Sequence, residues 1–175
     1  MGIQDISSEN TSFNYLRGSA DFLDAVLNNI SSCILLLDKD MKLQAFNNAI
    51  KTIFSNRPNE HLLYRRCGEA IGCAATVEEE KDCGKTSKCC TCMLRKCAIM
   101  TYTENISYYK SRISREFYRT DSRKEMRHLQ FSTRCIRYDQ DRYVMMIVDD
   151  LTSIVNQEDL IREQKALLDK LSKNK

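Results

Sequence analysis

The spacing of apolar positions changes along the chain, and each change predicts a different element. Ser19 can cap a helix whose apolar residues recur every three or four positions, which predicts a buried stripe that ends near Asn29: Phe22, Leu23, Val26, Leu27 and Ile30. The apolar run from Cys33 to Leu37 and the segment from Lys42 to Phe46 flank a polar turn and predict a two-stranded hairpin. A short helical run with one apolar side follows: Ile50, Ile53 and Phe54.

The second half of the chain predicts three strands and a long helix. Strand character marks the segments Ile106 to Tyr118, Met126 to Tyr138 and Arg142 to Val148. The middle segment alternates between polar positions and a face expected to be buried: Leu129, Phe131, Thr133 and Cys135. From Ser153 the spacing is helical again, with an apolar stripe at Ile154, Leu160, Ile161, Leu167, Leu168 and Leu171.

That last stripe has no further chain to cover it. A terminal helix of this kind commonly packs on its own copy, so the pattern favours a homodimer formed through residues 153–171. The alternative is that the helix folds back onto its own sheet.

Length and composition indicate one globular domain. The 175 residues, 42% hydrophobic and 29% charged, divide into a polar, flexible lead-in (1–18), a domain (19–152) and a C-terminal helix (153–175). The apolar runs are far shorter than the ~20 residues of a membrane span, and the N-terminal pattern is not that of a secretory signal. We therefore expect a cytoplasmic protein without a membrane partner.

The net charge and its distribution do not indicate a particular class of partner. A net charge of +3 is slight, and basic residues alternate with acidic ones, so we expect no nucleic-acid partner. One basic run is interpreted as a solvated face: Arg112, Arg115, Arg119, Arg123, Lys124 and Arg127.

The cysteines carry the candidate chemistry. Without an export signal, thiols are expected to stay reduced, and clustering then favours metal or redox chemistry over disulfides. Seven of the nine cysteines lie within residues 67–97, whereas Cys33 and Cys135 lie on strand faces and are interpreted as core thiols. Four thiolates complete a tetrahedral zinc site or hold an iron–sulfur cluster, and the spacing is compatible with both kinds of site. The four candidate ligands are Cys73, Cys83, Cys89 and Cys92.

The order of predicted elements resembles that of a PAS domain, as do two segments. The stretch from Leu27 to Asp38 with Leu43 to Ala49 looks like the start of such domains, and Val148 to Thr152 (VDDLT) is similar to their exit motif. The resemblance implies an α+β fold. It consists of a five-stranded antiparallel sheet with helices on one face, an N-terminal helix and a C-terminal signalling helix.

Within that family, the stretch GEAIGC (68–73), Cys83-Gly84 and Cys89 to Cys92 resembles a bacterial sensor subset with four cysteines. The resemblance implies that Cys73, Cys83, Cys89 and Cys92 bind metal. Three further cysteines depart from that pattern and are alternative ligands: Cys67, Cys90 and Cys97.

We therefore expect a stand-alone sensory protein that detects redox state or a diatomic gas through its four-cysteine metal site. Catalytic motifs are not evident and residues beyond 152 leave no room for an effector domain, so we expect no enzyme and a separate kinase, cyclase or regulator as partner. The alternatives are a scaffold with structural zinc that dimerises or binds a small ligand, a metal-free thiol switch through Cys89, Cys90 and Cys92, and haem bound by His61.

Overall fold

The computed structural model describes residues 19–54, 62–119 and 123–173. The expected flexible lead-in (1–18) and His61 lie outside these ranges. Within them the order of elements is α1 (Ala20–Asn28), β1 (Cys33–Leu37), β2 (Leu43–Phe46), α2 (Ala49–Ile53), α3 (Cys67–Ala70), α4 (Ala74–Glu78), α5 (Met93–Glu104), β3 (Tyr108–Tyr118), β4 (Lys124–Tyr138), β5 (Asp141–Asp150) and α6 (Thr152–Lys173).

The five strands form one antiparallel sheet in the order β2-β1-β5-β4-β3, which confirms the predicted α+β class. The first strand therefore lies beside the last, with Cys33 opposite Val148 and Leu37 opposite Val144. Alternate residues of β1 are buried, as the pleat of a strand requires.

The hydrophobic core lies between the sheet and the helices α2 and α5, which pack on β1 and on β4 and β5 respectively. Its largest fully buried side chains on the central strands include Leu35, Phe131 and Met146. Phe54 meets Phe117 edge to face, with ring centroids 5.3 Å apart. Full burial of one such side chain stabilises the fold by about 1.5–3 kcal/mol.

The apolar stripe of α1 was predicted to be buried, and this prediction is wrong. Leu23 is 58% exposed and no residue of α1 is buried. The helix is attached by its last turn, where buried Asn47 accepts a hydrogen bond from the Ile34 N–H (2.9 Å) and donates to the carbonyls of Leu27 and Ser32 (2.9 Å each). Periodicity shows that a helix is amphipathic and does not show what covers it.

The apolar stripe of α6 is also exposed. Ile154, Leu160 and Leu168 keep 51%, 55% and 64% of their surface, so the alternative in which this helix folds back onto its own sheet is not what the structure shows. In the described residues, no helix is long and apolar enough to cross a bilayer.

Smaller differences concern element ends. Strand β3 begins at Tyr108 rather than Ile106, because α5 continues to Glu104 and ends at Asn105 in the left-handed conformation (φ 58°). The predicted cap of α1 is confirmed, since Ser19 Oγ accepts from the Phe22 N–H at 3.2 Å. Cys33 is a core thiol as predicted, whereas Cys135 is half-buried.

Candidate metal centre

The four predicted ligands line one cavity of about 30 Å³ between the helices α3, α4 and α5 and the inner face of the sheet. Cys67, one of the three alternative ligands, lines it too. The other two lie elsewhere: Cys90 is exposed, and Cys97 is buried in the hydrophobic core. The structure thus brings five thiols together: Cys67, Cys73, Cys83, Cys89 and Cys92.

Two glycines allow this arrangement. A Cβ at Gly68 would lie 2.8 Å from Cys83 Sγ, so the helix α3 can pass the sulfur at this distance only without a side chain there. Gly72 has φ 73° and its backbone approaches β3 so closely that a Cβ would lie 2.6 Å from the Tyr118 carbonyl oxygen. The Tyr118 N–H donates to the Gly72 carbonyl (2.8 Å), and Cys73 forms an antiparallel bridge with Phe117. Cys73 is therefore fixed to the edge of the sheet.

Contacts with α3, α4 and β3 hold the loop that carries Cys83 and Cys89. Arg66 Nη1 donates to the Cys83 carbonyl (2.8 Å), and Glu69 accepts from the Cys83 N–H (3.2 Å). Farther along, Glu79 accepts from the N–H and hydroxyl of Ser87 (3.0 and 2.6 Å), and Arg115 donates to the Lys88 carbonyl (3.0 Å). These contacts fix the position of the loop through the protein's own groups.

The thiols of the cavity differ in how readily they ionise. Burial raises the pKa of Cys83, and burial together with the neighbouring thiols Cys83 and Cys92 raises that of Cys67 well above its usual value. At Cys89 the effect of burial is outweighed by hydrogen bonds to Sγ from the Thr86 hydroxyl (2.9 Å) and the Gly84 N–H (3.0 Å), and the pKa is lowered. Cys89 is thus more prepared to act as a thiolate ligand than Cys67 or Cys83.

The donor set fits a thiolate-bound metal. Zinc and iron–sulfur clusters both take four cysteine thiolates, and this cavity supplies that number and one more. In the part of the chain that the structure describes, no three His, Cys, Asp or Glu side chains form a ready-made ion site. Tetrahedral zinc, with Zn–S bonds of about 2.3 Å, would require the thiols to move closer together.

A polar network joins the beginning of β4 to the start of α6. Arg127 contacts Asp150 through Nη1 (2.5 Å) and Glu125 through Nη2 (2.7 Å). Asp150 accepts hydrogen bonds from the Thr152 N–H (2.9 Å) and hydroxyl. Partial burial raises the pKa of Asp150, but the bonds from Thr152 and Arg127 outweigh it and the pKa is lowered. The first residue of α6 is thereby attached to the sheet.

The interpretation of the basic run as a solvated face is wrong for two of its members. Arg115 lines the cysteine cavity, and the Arg127 side chain is only 14% exposed within its ion pairs. Arg112 is exposed as predicted. Arg115 on β3 and Arg127 on β4 both lie on the side of the sheet that faces the helices. Their long aliphatic stems permit this orientation.

Comparison with known proteins agrees on the fold. No family model and no curated protein matches the chain. Among solved structures, the chain is similar to a PAS domain from a two-component sensor histidine kinase (TM-score 0.51, 11% identity, 74% of this chain and 94% of that one). It is also similar to a PAS domain of a Colwellia psychrerythraea protein (0.51, 9%, 76% and 97%).

A third similar structure is the VqmA dimer of Vibrio cholerae, described among DNA-binding LuxR-type receptors (TM-score 0.53, 12% identity). That match covers 76% of this chain and about half (52%) of the other. At these identities the likeness concerns the fold: the chain has the PAS fold, with a cysteine-rich segment between its hairpin and its three-stranded meander.

Sequence reasoning missed one feature of the site and left another open. The short helix α3 begins with Cys67 and the short helix α4 directly follows Cys73, but with four and five residues they are too short to show a periodicity. The place of Cys67 in the cavity had a signal, since it directly precedes Gly68 and the GEAIGC stretch. Spacing alone could not separate Cys67 from Cys90 and Cys97.

Proposed function

We propose that this chain is a non-enzymatic sensory PAS module whose metal centre, iron–sulfur or zinc, is held by Cys73, Cys83, Cys89 and Cys92. The centre responds to redox state or a diatomic gas. The response passes to α6 and from there to a separate kinase, cyclase or regulator. All nine cysteines lie in the described ranges as free thiols, which supports a reducing compartment such as the cytoplasm.

The observation that carries the proposal is that the thiols share their cavity with core residues of the sheet. Leu37, Phe117 and Met146, from three different strands, line it together with the cysteines. A volume of about 30 Å³ is far below the roughly 300 Å³ or more of a pocket for an organic ligand. The donor set and the small volume of the cavity therefore favour a bound metal, in contact with the sheet, rather than a small organic ligand.

The contacts of the loop support sensing over a purely structural role. A structural zinc ordinarily supplies the energy that orders its loop. Here Arg66, Glu69, Glu79 and Arg115 already fix the loop by direct hydrogen bonds. Oxidation or loss of the metal can then rearrange the thiols while the remainder of the domain stays folded.

A continuous set of contacts connects the centre to α6. Cys73 bridges Phe117 on β3, and Phe117 lies opposite Glu125 on β4. Glu125 contacts Arg127, which contacts Asp150, which binds Thr152 at the start of α6. We propose that displacement of Cys73 alters this network and shifts α6 between two arrangements.

The exposed stripe of α6 is proposed to pair with a second copy of the chain. Its apolar residues fall seven apart, as in a coiled coil, so a change in the first turn of the helix would alter the pairing of residues 153–171. Such a change is what a partner protein would detect.

The decisive experiment is metal analysis of protein purified without air. Iron with acid-labile sulfide and a brown colour that bleaches in oxygen identifies an iron–sulfur sensor, whereas colourless protein with one zinc per chain identifies zinc. The variants Cys73→Ser and Cys92→Ser are expected to lose most of the metal. Cys90→Ser is the matched control, because its thiol is exposed and outside the cavity, and it should keep the wild-type content.

Full metal content both in Cys73→Ser and in the double variant Cys67→Ser/Cys73→Ser would remove Cys73 from the centre. Wild-type protein that binds neither iron nor zinc would contradict the proposed function. Cys67 lines the same cavity, so it could replace Cys73 as a ligand. This exchange is shown if Cys73→Ser keeps its metal and the double variant Cys67→Ser/Cys73→Ser loses it.

A further inference from the structure

Arg95 lies against the cysteine loop in a position that only glycine on the opposite side allows. A Cβ at Gly84 would lie 2.8 Å from Arg95 Cζ and 2.9 Å from Nη2, and Gly84 itself has φ 104°. The guanidinium therefore packs against Gly84, next to Cys83, and the same Gly84 donates its N–H to Cys89 Sγ (3.0 Å). Arg95 lines the cavity together with the five thiols.

One nitrogen of this guanidinium has nothing to bind. Nη1 is fully buried and lacks a hydrogen-bond partner, the one such side-chain atom among the described residues. A buried guanidinium N–H without an acceptor destabilises a fold, and native proteins ordinarily satisfy such groups. An acceptor is therefore expected at this point of the cavity.

The neighbouring lysines do not serve the cavity in this way. Lys81 and Lys85 pair with Glu79 (3.2 Å) and Asp82 (2.7 Å) at the surface, and Lys96 is exposed. Arg115 lines the cavity, but its Nη2 donates to the Lys88 carbonyl. Arg95 thus differs from the other cations of the segment in presenting a buried, unused donor.

We propose that Arg95 is the positioning residue of the thiolate centre: its Nη1–H donates to a sulfur of the metal-bound site, and its charge offsets that of the four thiolates. This inference rests on the proposed metal centre. Sulfur ligands that accept such bonds are held more firmly, and loss of a group that supports metal ligands typically lowers metal affinity 10- to 100-fold.

The test compares Arg95→Gln with Lys96→Gln, which removes one positive charge from the next, exposed position. Zinc affinity is measured by chelator competition, or cluster loss by its rate in excess chelator, and melting temperatures are recorded for metal-free and loaded protein. We expect Arg95→Gln to weaken metal retention about 10- to 100-fold while the metal-free protein melts at the same or a higher temperature, because a buried N–H without a partner is gone. Lys96→Gln should match wild type in both.

Arg95→Lys sharpens the result, since it keeps the charge but loses the planar fork. If the centre is an iron–sulfur cluster, Arg95→Gln should lower its reduction potential, because the reduced, more negative form loses a nearby cation, and Arg95→Lys should lower it less. These readouts do not move for a residue that only packs against Gly84.

Wild-type metal retention in Arg95→Gln overturns this inference alone. A fall in the melting temperature of metal-free Arg95→Gln also overturns it, since Arg95 would then stabilise the fold by itself. Wild-type protein that binds no metal overturns the proposed function and this inference with it.

Discussion

The cysteine segment and the two terminal helices are attached to the same sheet in opposite ways. The loop from Glu79 to Cys92 is held at several points, by α3, α4 and β3. By contrast, α1 and α6 expose their apolar faces and join the sheet mainly through polar contacts at one end, around Asn47 and Asp150 respectively.

The difference indicates which part of the molecule is fixed and which can respond. Several weak hydrogen bonds together hold the loop from Glu79 to Cys92. The loss of any one of them is therefore not expected to displace the loop. An element joined at one end moves as a unit when that attachment changes. The comparison therefore predicts large effects of substitution at the two attachments and almost none along the exposed faces of the helices.

The largest effect on stability is expected for Asn47→Leu. Its side chain is buried and serves the Ile34 N–H and the carbonyls of Leu27 and Ser32, which would lose their partners. We expect a loss of about 3 kcal/mol in the free energy of unfolding, measured in urea. The exposed neighbour offers a matched control: Asn48→Leu should change the free energy far less, and equal losses would refute the role of Asn47 as attachment.

Gly72→Ala is expected to be next. Its φ of 73° is unfavourable for alanine, and the new Cβ would lie 2.6 Å from a backbone oxygen that cannot move aside. Strain of this kind costs about 2–3 kcal/mol, again read from urea unfolding. Gly68→Ala meets the movable Cys83 sulfur instead, at 2.8 Å, so it should lose less stability but more metal. If Gly68→Ala instead lost more stability and Gly72→Ala lost more metal, Cys73 would not be fixed through β3.

Asp150→Asn should cost about 1–2 kcal/mol at pH 7, because Asp150 binds both Arg127 and the start of α6. The pKa of Asp150 is lowered in the folded protein, so its contribution is complete above its unfolded value near 4 and is lost as the pH falls through the folded pKa. The difference between wild type and variant should shrink below pH 4. Asp159→Asn, in an exposed ion pair with Arg162, should change little at any pH.

Substitutions on the exposed apolar face of α6 are expected to have the smallest effect on stability and the largest effect on association. Leu160→Glu combined with Leu167→Glu replaces side chains that are 55% and 61% exposed. In dilute protein the free energy of unfolding should change by less than about 0.5 kcal/mol. Sedimentation should show a dimer for wild type and a monomer for the variant; an unchanged dimer would place the interface elsewhere.

Much of the fold followed from local pattern. The alternation of Leu129, Phe131 and Thr133 predicted the buried face of β4, and all three are buried. The spacing after Ser19 predicted α1 and its cap, yet not the exposure of its apolar face, because spacing carries no information on what lies opposite. The position of β1 beside β5 was not predicted, since pattern alone does not order strands.

The candidate site was predictable as a set of cysteines and not as an arrangement. Spacing identified Cys73, Cys83, Cys89 and Cys92, and all four line the cavity. Arg95 lies in the same segment as several lysines, and the sequence does not distinguish it from them. Which cation turns inward depends on the backbone of Gly84, a tertiary contact that no local pattern encodes.

The segment from Tyr64 to Cys73 also protects the sheet from its own edges. At one end Tyr64 and Arg65 bond to Leu43 on the edge strand β2, and at the other Gly72 bonds to Tyr118 on the edge strand β3. Unpaired edges are templates on which a second chain can add a strand and begin aggregation. A rearrangement that released Cys73 would uncover part of one such edge, so the same residues that serve the proposed metal centre also help to protect the folded protein from aggregation.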